Sequence, residues 1–75
     1  MILKDLEYIC EVARQGTLSE AAKNLSISQP ALSLFVSNLE TELGIRLFTR
    51  KKNRLQITPE GKIYVQTASE MLDVR

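Results

Sequence analysis

Histidine is missing from this chain of 75 residues, and cysteine occurs once, at Cys10. Without histidine, neither a serine nor Cys10 has its usual general base. A single cysteine permits no internal disulfide and, with no histidine beside it, no zinc site. No apolar run approaches the roughly 20 residues of a membrane span and no signal peptide is visible, so no membrane association and a cytoplasmic setting with reduced Cys10 are expected. Glycine-rich phosphate loops are also missing, because "TPEGK" at 58–62 lacks the required spacing. Glu40 and Glu42, two apart on a helix, do not face one another. Glu7 and Glu11 do share a face, and both read as the solvated side of an amphipathic helix. No catalytic residue, metal or cofactor is therefore expected, and the chain is not read as an enzyme.

The small size has its own consequence. A chain this short lies where a single core is marginal without a disulfide, a metal or a partner. With the first two excluded, the added stability is expected from another protein chain. What is present is ordinary for a folded domain, with 44% hydrophobic and 25% charged residues. Cys10 shares a stripe with Leu6 and Ala13 and is read as a packing residue.

A formal net charge of +1 conceals an uneven distribution. Residues 1–45 carry three cations against six carboxylates, whereas residues 46–62 carry Arg46, Arg50, Lys51, Lys52, Arg54 and Lys62 against Glu60 alone. Such a block can engage phosphate whatever the total charge.

Local signals divide the chain into five pieces. Leu6, Ile9, Cys10 and Ala13 follow helical spacing with Glu7, Glu11 and Arg14 turned outward, and Gly16 stops the helix. "TLSE" at 17–20 matches a capping box, with Thr17 as cap and Ser19 as rival, and starts a short helix through Ala21, Ala22 and Leu25. Ser28 caps a third helix from about Gln29 to Leu43, with Pro30 in its first turn and Gly44 as its stop. Two helices joined by a three- or four-residue turn make a helix-turn-helix. Leu47 to Ile57 then reads as a short hairpin with Lys51, Lys52 and Asn53 at its tip. Thr58 and Pro59 open a last helix that runs toward Arg75 without a stop signal, as though the chain were cut within it.

On the third helix, Leu32, Val36, Leu39 and Leu43 fall in one arc at about 100° per residue and form the core face. Phe35 lies at its flank and serves packing. Leu34 points away, on the face shared with Pro30, Ser33 and Ser37. On the last helix, Tyr64, Ala68 and Met71 lie at i, i+4 and i+7, flanked by Val65 and Leu72. This stripe either pairs two subunits or packs on the first helix of its own chain. The hairpin charges likewise either keep an edge soluble or meet phosphate.

"GTLSEAAKNLSISQPALS" at 16–33, "LETELGIRLFTR" at 39–50 and "ITPEG" at 57–61 together resemble the N-terminal DNA-binding domain of LysR-type transcriptional regulators, along the whole chain. The resemblance implies a mostly α fold with a small β-hairpin. This is a winged helix-turn-helix with a three-helix core, a two-stranded wing and a C-terminal linker helix. Residues 1–58 are then the DNA-binding domain and 59–75 a linker or dimerisation helix, with the domain that senses a small-molecule effector absent. It further implies that the third helix enters the major groove of double-stranded DNA and that the last helix makes a homodimer on a palindromic operator. By position, Gln29, Pro30 and Ser33 match groove-facing residues, and Arg50 and the following Lys51, Lys52 and Arg54 match the backbone-contacting wing. Ser28 and Ser37 border the same face.

The chain departs from the family pattern at Leu34 and Phe35, where a basic or long polar residue and then a polar one are common. Leu34 is expected to touch a thymine methyl, with Gln29 free to pair with adenine. The alternative is a helical protein-interaction module that docks through a Leu34/Phe35 patch.

Overall fold

Caps and stops decide where each element begins and ends. The computed structural model describes residues 3–52 and 54–72. They form α1 (Leu3–Gln15), α2 (Leu18–Leu25), α3 (Gln29–Leu43), β1 (Phe48–Lys51), β2 (Arg54–Ile57) and α4 (Pro59–Leu72). Thr17, not Ser19, caps α2: its Oγ1 accepts from the Glu20 amide at 3.3 Å. Ser28 Oγ does the same for Ala31 at the start of α3 at 3.2 Å, and Pro30 falls in the first turn, where its missing N–H leaves no carbonyl unpaired. Three helices close with left-handed residues, Gly16 (φ 74) after α1, Ser26 (φ 60) after α2 and Gly44 (φ 72) after α3. The Gly16 amide bonds back to Val12 O at 3.0 Å, and after the other two the next amide returns to the last turn, Ile27 to Ala22 at 3.0 Å and Ile45 to Glu40 at 3.3 Å. The course of the chain from Asp73 to Arg75 lies outside the described residues.

The hairpin pairs Phe48 with Ile57 and Lys51 with Arg54 in antiparallel register, so its loop has two residues. Lys52 takes φ 57, as the first central residue of a primed two-residue turn must. Asn53, the other expected tip residue, lies outside the described residues. Leu47 precedes β1 rather than belonging to it. Its amide, with that of Phe48, donates to Glu40 Oε2 at 2.7 and 3.1 Å, so a carboxylate from α3 anchors the start of the wing. The far strand is anchored at Leu55, whose amide donates to the Gly16 carbonyl at 2.9 Å.

The main core joins Ile9 and Val12 of α1, Leu18, Ala21 and Ala22 of α2, Leu32, Val36 and Leu39 of α3, and Leu47 with Phe48. A second cluster holds Leu6, Cys10 and Ala68 with Tyr64, Val65 and Leu72 packed against it. Cys10 is therefore a packing residue, with its Sγ 3.6 Å from Ser69 Oγ. The α1 helix is covered on two sides, by α2 and by α4, which a single-stripe helical wheel does not convey.

That double coverage corrects the sequence reading of Glu11. Glu7 is exposed as expected, but Glu11 retains only 7% of its exposure, because α2 crosses over it. Its carboxylate accepts from Asn24 Nδ2 at 2.9 Å, Gln15 Nε2 at 2.8 Å and Arg14 Nη1 at 2.6 Å. The Asn24 hydrogen bond is the main cause holding the acid below its ordinary value of 4.5. Burial opposes it, and Gln15 and Arg14 add to the lowering.

The last helix starts on the base of the wing. Thr58 Oγ1 accepts from the Gly61 amide at 2.9 Å and donates to the Arg46 carbonyl, while the Thr58 amide donates to Leu47 O at 3.0 Å. Gly61 is buried there, and a Cβ on it would lie 2.2 Å from the Leu47 carbonyl oxygen. Among the described residues no helix is long and apolar enough to cross a membrane.

Candidate nucleic-acid interface

The outward side of α3 presents Gln29, Pro30, Leu34 and Ser37, with Ser28 at its cap and Ser33 half-buried between them. Leu34 is 61% exposed, a large apolar side chain on an otherwise polar helix face. Phe35 turns the other way. It is half-buried and meets the ring of Tyr8 edge-on, with centroids 5.0 Å apart and planes at 64°. The two do not form one patch, so the protein-docking alternative is left with Leu34 alone.

The wing stands beside this face. In the pleat Phe48, Arg50, Leu55 and Ile57 share one side of the ladder, and that side is turned to the protein body. Arg50 remains exposed on that side, and its Nη2 donates to Ser33 Oγ at 2.9 Å. The charge count alone does not reveal this contact, which spans 17 positions.

Between wing and helices lies an open cleft lined by Thr17, Ser19 and Glu20 at the start of α2, by Gln29, and by Arg50, Lys52 and Arg54. Three cations and one carboxylate, Glu20, therefore line one concavity beside the start of α2. Arg54 leans back toward the α1–α2 turn, with its guanidinium 3.3 Å from the point a Gly16 Cβ would occupy. Lys51 and Lys52 are exposed, and among the described residues the wing cations form no ion pair, the one found being Arg14–Glu11 at 2.6 Å.

Of the residues expected to pair two subunits, Ala68 is buried against Leu6 and Cys10 of its own chain, and Tyr64, Val65 and Leu72 flank that contact. Burial, helped by the nearby Asp5 and Cys10, pushes the Tyr64 phenol above its usual range. Met71 faces out at 57% exposure. Ile63, eight residues earlier, does so at 69%; the sequence reading did not select it, although 63, 67 and 71 recur every four residues.

Residues 3–62 match the bacterial regulatory helix-turn-helix proteins of the lysR family. The chain is 37% identical over 75 residues to the uncharacterized HTH-type transcriptional regulator YcgK of Bacillus subtilis, covering all of this chain and 23% of that protein. It is 40% identical over 72 residues to the HTH-type transcriptional regulator BenM of Acinetobacter baylyi, covering 96% of this chain and 24% of BenM. Among solved structures it resembles the BenM_DBD/catB site 1 DNA complex, with a TM-score of 0.90 at 40% identity over 96% of this chain and 81% of that one. The CbnR_DBD–DNA complex also gives 0.90, at 32% identity over 97% and 84%. The four helices and antiparallel hairpin thus have the winged helix-turn-helix form of these DNA-binding domains. The chain spans about a quarter of the length of the curated relatives it matches.

Proposed function

The chain belongs to the lysR family of bacterial regulatory helix-turn-helix proteins, and from that footing we propose that it binds double-stranded DNA sequence-specifically, as the DNA-binding part of a transcription regulator. In this reading α3 enters the major groove with Gln29, Pro30, Ser33, Leu34 and Ser37, while Lys51, Lys52 and Arg54 meet the backbone or a minor groove. One observation carries it: Arg50, Lys52 and Arg54 of the wing, which form no ion pair among the described residues, border one cleft beside the exposed face of α3. Close relatives in BenM_DBD and CbnR_DBD are held on DNA. The chain performs no chemistry in this role, and response to a small-molecule effector belongs to segments other than residues 1–75. Its place of action is the bacterial cytoplasm.

Selection from a random duplex pool tests the reading directly. Enrichment of a palindromic consensus is expected, and a pool left unenriched would sink it. Lys52→Ala should weaken binding to all duplexes by a similar factor and reduce the salt slope by about one unit. Alanine at φ 57 is as strained as lysine, so the comparison isolates the charge. An unchanged slope would take Lys52 out of the interface.

Base readout includes an apolar element. Leu34 is proposed to touch the thymine methyl, the one apolar mark in the major groove. Leu34→Ala should lose on the order of 1 kcal/mol at one T·A pair, and much less on a duplex carrying uracil there. Equal losses on both duplexes would remove the methyl contact.

Dimerisation is assigned to α4. Tyr64, Val65, Ala68 and Leu72 hold the helix on α1, and the outward row of Ile63, Thr67 and Met71 is free to meet a second copy. Sedimentation equilibrium of Ile63→Asp and Met71→Asp should show at least tenfold weaker self-association, about 1.4 kcal/mol or more of lost apolar contact. Association unchanged by both substitutions would place the dimer contact elsewhere.

A further inference from the structure

The hydrogen bond from the wing to the reading face of α3 constrains what that face can recognise. Arg50 Nη2 lies 2.9 Å from Ser33 Oγ. A guanidinium has donors only, so the serine oxygen must be the acceptor. A hydroxyl whose lone pair is held by a cation becomes a poorer acceptor and, by polarisation, a stronger donor. Serine and threonine in helices commonly use their proton on the carbonyl four residues back, and Thr41 does so here, donating to Ser37 O at 3.0 Å. Ser33 behaves differently: among the described residues its side-chain hydrogen bond is the one received from Arg50. Its proton therefore remains available. Ser33 stands between Gln29 and Ser37 at four-residue steps, on the side of α3 assigned to the major groove.

We propose that Arg50 is a positioning residue that fixes Ser33 as a hydrogen-bond donor. The helix then selects, at the one base that Ser33 faces, an acceptor edge over the amino group of cytosine. Guanine O6 and N7, adenine N7 and thymine O4 accept; cytosine N4 only donates. Arg50 so contributes to sequence preference without itself touching a base. The inference rests on the DNA-binding reading above and adds to it a role for the wing in specificity, where a backbone contact would give affinity alone.

The test starts from the consensus enriched from a random duplex pool by the unaltered chain. Affinities of the unaltered chain, Ser33→Ala, Arg50→Met and the double variant are then measured on duplexes carrying each of the four base pairs at every consensus position. Melting temperatures confirm that each variant is folded; Arg50 is exposed and Ser33 half-buried. Ser33→Ala and Arg50→Met should flatten the preference at the same position, each by roughly two- to tenfold, the range of one net hydrogen bond. The double variant should flatten it no further. Arg50→Met weakening all duplexes by one factor with the preference intact would overturn the proposal, leaving Arg50 as a phosphate contact. Flattening at different positions for the two residues would overturn it as well. If the unaltered chain enriches no sequence, DNA binding itself fails and this inference falls with it; the other negative outcomes leave DNA binding standing.

Discussion

Gly61→Ala should lower the stability of the domain by about 3 kcal/mol or more, seen as a fall of roughly 10 to 20 °C in the melting temperature of so small a protein. In an ordinary helix the same exchange stabilises by nearly 1 kcal/mol, because alanine has the better helical propensity. Here the sign reverses. The new Cβ would stand 2.2 Å from Leu47 O and 2.9 Å from Ile57 Cγ1, one of them backbone, which cannot rotate aside. Relief requires α4 to lift off the base of the wing, and that breaks the bond from the Thr58 amide to the same Leu47 carbonyl. Gly44→Ala is the control. A Cβ there meets open space, so only the left-handed φ of 72 opposes it, at a cost of about 1 kcal/mol. Equal losses for the two glycines would show that close approach at Gly61 is not what the domain depends on.

Glu11→Ala should cost about 2 kcal/mol, whereas Glu7→Ala, one helical turn earlier and exposed, should stay within about 0.5 kcal/mol. The difference arises from three donors converging on one nearly buried carboxylate, one of them from α2. Removal breaks the bond that ties Asn24 of α2 to α1 and releases Gln15 and Arg14 from the same carboxylate. The effect also depends on pH. Because the folded state holds Glu11 below its ordinary value of 4.5, its stabilisation is fully present above that value and is lost as pH falls through the lowered one. Urea unfolding of the unaltered chain and of Glu11→Gln should therefore differ most near neutral pH and converge as pH falls below 4.5 and through the lowered value. A gap that stays constant through this window would mean that ionisation of Glu11 is not its source.

Much of the element order is readable without coordinates, because caps act over short spans. Thr17 and Glu20, Ser28 and Ala31, and Thr58 and Gly61 are each three residues apart, so the chain specifies these helix starts wherever it finds itself. The same holds for Gly44 as a stop and for the apolar arc of α3, where Leu32, Val36 and Leu39 are all buried. Phe35 was also legible, since its angle from that arc placed it at the flank where Tyr8 receives it. The candidate interface was legible as composition: a cationic block after a helix-turn-helix, and a leucine pointing away from the core.

What composition did not contain is which residues meet. A helical wheel assumes one buried face, and α1 has two covered sides, so it misjudged Glu11 and gave the α4 stripe two possible partners. The sequence by itself determined the capped starts of α2, α3 and α4, the glycine stops after α1 and α3, the hairpin, the outward turn of Leu34 and the concentration of charge in the wing. Each of these depends on neighbours a few residues away or on the backbone period. Only the tertiary structure decided that Glu11 would bind Asn24, 13 residues on, that Gly61 would press on Leu47, and that Arg50 would hold Ser33 across 17 residues. Those contacts have no local signature, because they are made by helices and strands packing as rigid bodies, and which side chains come within 3 Å follows from that packing rather than from spacing along the chain.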